Sequence, residues 1–261
     1  MTARVLTIAS SDSGGGAGIQ ADLKAIARCG AHGMSAIAAL TAQNTTGVTG
    51  IHEVPPEFVA RQIAAVIDDI GADAAKTGML FSAPVIEAVA AELDAASFHH
   101  GGLPLVVDPV MVASSGARLL RPDAVDALTG KLFPLATVVT PNLMEAQALT
   151  GLETEDRAVL AGRLVAMGAA AALVTGGHGR ESVDHLYDGS VDVRIPVPRH
   201  RAAATHGAGC THSAALAAGL ASGLSLADAA RQASAVASDA VARGLTGLGA
   251  GDGPVSVFPI G

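Results

Sequence analysis

The sequence predicts an α/β fold in one domain: a mostly parallel sheet with helices on both faces. Three observations predict it. Short apolar runs alternate with longer amphipathic segments along all 261 residues, the pattern of strand–helix units. No internal repeat, low-complexity tract or long linker interrupts them. Nearly every polar or glycine-rich cluster falls in the turn after a strand, where ligands sit in such sheets.

In chain order, a strand over residues 5–9 passes through a glycine turn into a helix over 17–28. A strand over 34–41 follows, then a helix over 56–70 with Pro56 in its first turn. Next come a short strand over 72–76, a helix over 83–94, and a buried strand at 105–107 that ends in Asp108-Pro109. The pattern continues with a helix over 122–132, a strand over 137–140, helices over 143–149 and 155–167, and a strand over 171–175. Strands over 182–187 and 191–196 are joined by Asp188-Gly189, a hairpin signal. Two Ala-rich helices, 209–222 and 225–242, close the chain.

Composition narrows the function classes. Hydrophobic residues make up 50% and charged residues 15%, yet no run approaches the roughly 20 apolar residues of a membrane span. Aromatic content of 2%, without Trp, disfavours a nucleic-acid stacking surface. The net charge of −8 reads as ordinary solubility. An acidic protein that binds anions needs local sites of backbone amides, helix N-termini or metal ions. The start, MTARVLTIAS, lacks a charged region followed by an apolar signal core. Cys29 and Cys210 are too few for a disulfide framework and lack zinc-type spacing, so a cytoplasmic setting is expected.

Seven strand-end segments carry the candidate chemistry. Residues 10–18, SSDSGGGAG, form a glycine turn that lets a ligand approach the backbone or simply feeds a helix; Asp22 lies one turn further on. In TAQNTTG at 41–47, Gln43 and Asn44 offer donors and acceptors suited to a heterocycle edge, or an Asx-type turn. KTGML at 76–80 puts Lys76 at the border of a buried strand, which requires a partner carboxylate, a ligand phosphate, or a snorkelling path to water. Asp108, at the exit of a buried strand, points to metal or phosphate chemistry or to a turn. In TPNLME, Asn142 and Glu145 have capping-box spacing; Glu145 is alternatively a Mg²⁺ organiser acting through water. VTGGHG at 174–179 is a turn or a nucleotide floor. The last segment, THGAGCTHS at 205–213, opens an Ala-rich helix, and amides of Gly207, Ala208 and Gly209 there suit an anion. The same positive field is expected to lower the thiol pKa of Cys210 and make it a base, unless it is a small buried cysteine.

In this order the segments resemble the hydroxymethylpyrimidine/hydroxymethylpyrimidine-phosphate kinase family of thiamine biosynthesis, a ribokinase-like family related to pyridoxal kinases. The likeness runs from about residue 5 to residue 242 and is carried by SDSGGGAGIQADLK, ALTAQNTTGV, KTGML, VVDPVMVASSG, VVTPNLMEA, VTGGH and THGAGCTHSAALAAGLA. It implies a three-layer α/β/α fold with a small β flap. It also implies ATP- and Mg²⁺-dependent phosphorylation of 4-amino-5-hydroxymethyl-2-methylpyrimidine and of its monophosphate. By position, Asp22, Gln43, Met79 and Val107 (or Val106) correspond to pyrimidine contacts. Asp108, Asn142 and Glu145 surround Mg²⁺ and phosphates, with Asp108 and Glu145 acting on the metal through water. Thr175 and Gly177 approach ATP, Gly207, Ala208 and Gly209 form the anion hole, and Cys210 replaces the usual aspartate base. A homodimer is expected, with the hairpin and the 34–41 strand forming a dimer-facing flap. No nucleic acid or membrane partner is expected.

The chain departs from the family's usual pattern at four positions. Ser10 stands for Gly, Thr175 for a common Lys, Ala208 for a common Thr, and His212 for an apolar residue. Rival readings are pyridoxal kinase, a cysteine hydrolase using Cys210 with His206 or His212, and a non-catalytic ligand-binding paralogue.

Overall fold

The computed structural model describes residues 2–100, 102–111, 119–200 and 204–259. The strands are β1 (Arg4–Asp12), β2 (His32–Asn44), β3 (Gly47–Glu53), β4 (Ala74–Thr77), β5 (Leu105–Val107), β6 (Val138–Val139), β7 (Ala172–Val174), β8 (Val183–Tyr187) and β9 (Asp192–Pro196). They make one sheet in the order β3-β2-β1-β4-β5-β6-β7-β8-β9. Pairing is parallel from β2 through β1, β4, β5 and β6 to β7. The edges are antiparallel: β3 on β2, and the β8–β9 hairpin on β7. Covered on both faces, β5, β6 and β7 are buried at every residue, which is why they read as continuous apolar runs.

The helices are α1 (Gly18–Arg28), α2 (Pro56–Asp69), α3 (Ala83–His100), α4 (Val125–Ala127), α5 (Leu143–Thr150), α6 (Arg157–Ala166), α7 (Ala208–Ala221) and α8 (Leu226–Ala242). Residues from α2, α3, α5 and α6 pack on one face of the sheet. Those from α1, α7 and α8 pack on the other. The predicted three-layer architecture is therefore present. Helix α7 is buried over residues 211–219, so its lack of a polar face follows from its place between sheet, α1 and α8. Local chemistry sets several starts: Pro56 opens α2, Asp156 caps α6 and Ser225 caps α8.

Three expectations are corrected. Residues 47–53 form an edge strand that was not expected, because its glycines and its His-Glu end hide the alternation. The 122–132 helix is broken into a 3-10 turn (Pro122–Ala124), one α turn (α4), a π turn (Leu128–Leu132) and a 3-10 turn (Phe133–Leu135). Pro134 has no amide to return to Gly130, which ends any regular ladder there. The proposed flap does not assemble, because β2 lies near one edge of the sheet and the β8–β9 hairpin at the other. The ribbon beside the site is β2–β3.

Phe133 is fully buried among Leu128, Leu132 and the α6 leucines. Phe133→Ala is expected to cost about 3–5 kcal/mol, read as a lower urea midpoint at unchanged m-value.

Candidate active site

The C-terminal ends of the parallel strands bring most of the predicted segments to one edge of the sheet, and the two glycine turns meet there. The first is filled from within. One oxygen of the Asp12 carboxylate accepts the Gly14 amide at 2.8 Å; the other accepts those of Gly16 at 3.0 Å and Ala17 at 2.9 Å. The start of α1 therefore already holds an anion. Burial pushes Asp12 up, but the hydrogen bonds from His206, Gly14 and Ala17 outweigh it and hold the carboxyl below its ordinary value. His206 Nε2 lies 2.9 Å from the same carboxylate and ties the second turn to the first.

That second turn is open. Gly207 caps α7 at φ 85°, a left-handed conformation, and a Cβ there would lie 1.8 Å from the Gly16 carbonyl oxygen. The Ala208 amide donates to the Thr205 carbonyl at 3.0 Å. The amides of Gly209 and Cys210 have no acceptor among the described residues. A Cβ on Gly209 would meet nothing within 4 Å. The Gly207 amide likewise has no acceptor among the described residues, so the amides left free to meet an anion are those of Gly207, Gly209 and Cys210. Ala208, expected among them, is engaged inside the turn.

Beneath the turn lies a fully buried ion pair. Lys76 Nζ donates to both oxygens of Asp22 at 2.9 Å, and the Thr7 hydroxyl donates to Asp22 at 2.6 Å. The lysine thus found the carboxylate partner that its position required. Burial works against its charge, but Asp22, Cys210 and Asp108 outweigh that and raise its pKa. Asp22 is accordingly a foundation of the site and not a wall of the substrate pocket: it is 0% exposed. Val107 and Val106 are 0% exposed too and belong to the two core clusters, one on each face of the sheet. Half-buried Val110 and Met111, beyond the end of β5, hold the more open positions. Met79 is buried, and its carbonyl accepts the amide of buried Ser10 at 3.1 Å. Gln43 keeps a partly exposed amide beside Thr41 and His206.

The expected low pKa of Cys210 is overturned. Burial pushes the thiol up to about 12; Lys76 and the Gly18 amide pull it down, while Asp22 and Asp108 add to the rise. A helix start lowers a thiol pKa when the sulfur is solvated; here desolvation wins. Neither histidine forms a hydrolase dyad with it, since His206 engages Asp12 and His212 engages Asp184.

Asp108 is buried and accepts the Ser213 hydroxyl at 2.8 Å, which joins β5 to α7. Burial raises its pKa against the pull of Lys76 and Ser213. Asn142 and Glu145 make the capping box in full, each side chain accepting the other's amide at 3.0 Å. The Met111 amide adds a longer bond to Glu145 at 3.4 Å. Burial, then the charge of Asp108, push Glu145 up to about 8 despite these amides. The hydroxyls of Thr77 and Thr140, at the ends of strands β4 and β6, are buried without partners among the described residues. Two mutually repelling acids and orphaned hydroxyls fit a hard divalent ion held largely through water. Among the described residues, no cluster of three His, Cys, Asp or Glu offers a complete protein cage. Thr175 bonds its amide to the Pro141 carbonyl at 3.0 Å, and exposed Gly177 faces open space. The stretch 112–118, which ends the VVDPVMVASSG motif, lies outside the described residues.

His212 is held by a buried acid. Its Nε2 lies 3.0 Å from Asp184, which also accepts the Gly176 amide at 2.6 Å and the Ser234 hydroxyl. A polar side chain replaces an apolar one because β8 supplies a buried acid. Asp12, Asp184 and Ser213 were not singled out in the sequence, Lys76 only as a charge in need of a partner, and His206 only in the hydrolase reading. Asp12 had a visible signal, an Asp just before a glycine run; the partners of Asp184 and Ser213 lie 28 and 105 residues away.

Gly207→Ala should lower the melting temperature sharply or prevent folding. Gly209→Ala should leave melting within a few degrees and weaken anion binding, because its methyl group enters the open space. The folded chain holds the Glu145 proton to about pH 8, whereas the ordinary value is 4.5. Between these values the folded state binds more protons than the unfolded one, so stability falls as pH rises through that window. A divalent cation should release that proton and reverse the loss. Magnesium chloride is then expected to raise the melting temperature more at about pH 8 than at about pH 6, and Glu145→Gln, which keeps the capping box, should remove the difference.

Residues 12–256 match the family model described as phosphomethylpyrimidine kinase. A hydroxymethylpyrimidine/phosphomethylpyrimidine kinase of Rhizobium meliloti (strain 1021) is 48% identical, covering 99% of this chain and 98% of that protein. The thiamine biosynthesis bifunctional protein ThiED of Geobacter sulfurreducens is 49% identical over 97% of this chain, which spans about half (51%) of that longer protein. Among solved structures, an ADP complex of Bacillus subtilis pyridoxal kinase superposes with a TM-score of 0.88 at 36% identity, covering 98% of this chain and 97% of the other. With the ordered strand-end turns and the open start of α7 in place, these similarities make the chain a member of the phosphomethylpyrimidine kinase family.

Proposed function

We propose that the chain transfers the terminal phosphoryl group of ATP to the hydroxymethyl of 4-amino-5-hydroxymethyl-2-methylpyrimidine, and then phosphorylates that monophosphate to the diphosphate. The observation that carries this reading is the open start of α7 above a buried lysine. Among the described residues the amides of Gly209 and Cys210 lack acceptors, while the equivalent position on α1 is filled by Asp12. Charge that spreads over the equatorial oxygens during phosphoryl transfer is stabilised by such fixed donors. Lys76, held by both oxygens of Asp22, is fixed beneath these donors and needs no rearrangement during the reaction.

In this reading Asp108 and Glu145 hold Mg²⁺ through water, with the Thr77 and Thr140 hydroxyls as partners for that hydration shell. When bound, the ion neutralises phosphate charge. Thr175 and Gly177 border the nucleotide. Arg157, at the start of α6, donates to the Thr175 and His178 carbonyls and so fixes that loop. Gln43 reads the ring edge, and Met79 packs near it. Cys210 is the candidate base, and its thiol must first lose a proton that it holds up to about pH 12.

Pyridoxal phosphorylation is the second reading, favoured by the superposition on pyridoxal kinase. A cytoplasmic homodimer belongs to the same proposal. Its supports are two free thiols, Cys29 and Cys210, and an exposed Leu40 (46%) on the β2–β3 ribbon; light scattering tests the assembly.

The purified chain should form ADP and the pyrimidine mono- and diphosphates, with kcat/KM for the pyrimidine above that for pyridoxal; the reverse order selects the second reading. Turnover should rise with pH through the alkaline range, since only the thiolate accepts a proton. Cys210→Ala is expected to flatten that profile and lower kcat by about 100-fold or more at little cost in pyrimidine KM. An unchanged kcat and profile in the variant would remove Cys210 as the base.

A further inference from the structure

We propose that Asp184 is a positioning residue that holds the Gly176-Gly177 turn, the proposed border of ATP, at a fixed distance from the open start of α7. The inference rests on the proposed kinase reading for the nucleotide, though not for the hydrogen bonds themselves.

Asp184 is buried in β8 beside the end of β7, where its neighbour His185 pairs with Val174. One oxygen of its carboxylate accepts the Gly176 amide at 2.6 Å. The other lies 3.0 Å from His212 Nε2 and accepts the Ser234 hydroxyl. Burial pushes this carboxyl up, but His212, Ser234 and the Gly176 amide outweigh it and hold it below its ordinary value. An ionised carboxylate only accepts, so His212 Nε2 carries a hydrogen and donates it. The imidazole makes no competing bond, because its Nδ1 has no partner among the described residues. Three charge-assisted bonds thus converge on one acid. Their donors belong to the turn after β7, to α7 and to α8, at sequence separations of 8, 28 and 50 residues.

The turn is gripped from both faces of the sheet. The Thr175 carbonyl and the Gly176 amide belong to one trans peptide, whose C=O and N–H point in opposite directions. Arg157, from α6, donates to that carbonyl at 3.4 Å and also to the His178 carbonyl. Asp184 takes the amide of the same peptide on the side of α7 and α8, which pack on the sheet face opposite α6. The peptide plane is therefore fixed at both ends. A Cβ on Gly176 would lie 2.5 Å from the Val183 amide nitrogen, so the backbone is also pressed against β8. Gly177, the next residue, stays exposed, and a Cβ there would meet nothing within 4 Å.

His212 stands in the helical turn that follows the unpaired amides of Gly209 and Cys210. Asp184 is thus bonded both to the turn that borders the nucleotide and to the helix whose start receives the transferring phosphoryl group. In the proposed reading a polyphosphate spans these two places at once. A misplacement of about 1 Å from a change remote from the chemistry can cost about 100-fold in rate. One buried acid shared by both places prevents that drift.

Two sets of measurements test this. In the wild-type chain without substrate, the Gly176 amide should be protected from hydrogen exchange. The Gly177 amide, which has no acceptor among the described residues, should not be. ¹⁵N-edited NMR should place a hydrogen on His212 Nε2 at neutral pH. Equal exchange at the two glycines, or a bare Nε2, overturns the proposal. Neither readout needs ATP, so failure of the kinase reading shows separately, as a chain that forms no ADP.

Asp184→Ala should raise the KM for ATP by about tenfold and leave the pyrimidine KM unchanged. Asp184→Asn should bring the ATP KM back to within about threefold of wild type. Its oxygen accepts the Gly176 amide, and its NH₂ reaches Ser234 and a His212 that has moved its hydrogen to Nδ1. Ser234 then donates to the Ala230 carbonyl, 3.0 Å away. A folded Asp184→Ala with an unchanged ATP KM, or with both KM values raised alike, overturns the proposal. An Asn variant as impaired as the Ala variant does so too. If Asp184→Ala does not fold, His212→Leu decides by the same split, expected at about threefold or more.

Discussion

The arrangement depends on one interaction, the ion pair between Lys76 and Asp22. Both side chains are 0% exposed, and an ammonium group in such a place would lose its proton without a partner. Asp22 holds it with both oxygens, and Thr7 satisfies the acid from β1. The pair thus locks α1 against β1 and β4 directly below the start of α7. Its field reaches Asp108 and Cys210, so the charge that organises the site is built into the fold.

The two glycine turns show how similar local sequences acquire different roles. Both sit at helix starts after polar residues, and both present amides to the same edge of the sheet. Asp12 occupies the first with its own carboxylate and uses the remaining capacity to hold His206. The second is left open because its neighbours cannot fill it: Gly207 is wedged against Gly16, and Gly209 faces empty space. The closed turn is the scaffold, and the open one the site.

Burial decides the protonation states that follow. Cys210 keeps its proton despite the helix start, and Glu145 keeps one to about pH 8 beside Asp108. Both groups would gain a charge if positive charge were brought beside them. A solvated Glu145, at its ordinary value of 4.5, would be ionised before any ligand bound and would gain less from it.

The sequence by itself determined the layers and the site's address. Apolar runs fixed the parallel strands, the Ala-rich segment marked a helix buried on all sides, and the strand-end turns fell on one edge of the sheet. Asn142 and Glu145, Asp188-Gly189 and the glycines around Ala208 were legible because their chemistry is local. Tertiary structure decided what depends on distant partners. Asp22 became the base of the site through Lys76, 54 residues away, and Val107 went into the core. Asp184 gave His212 its reason. The direction of the Cys210 shift was decided in the same way, because a helix start is visible in a sequence and desolvation is not. Edge strand β3 and the broken helix after Pro122 were likewise set by neighbours. Short-range hydrogen bonding is encoded within a few residues, whereas burial and ion pairing exist only once the chain has closed on itself.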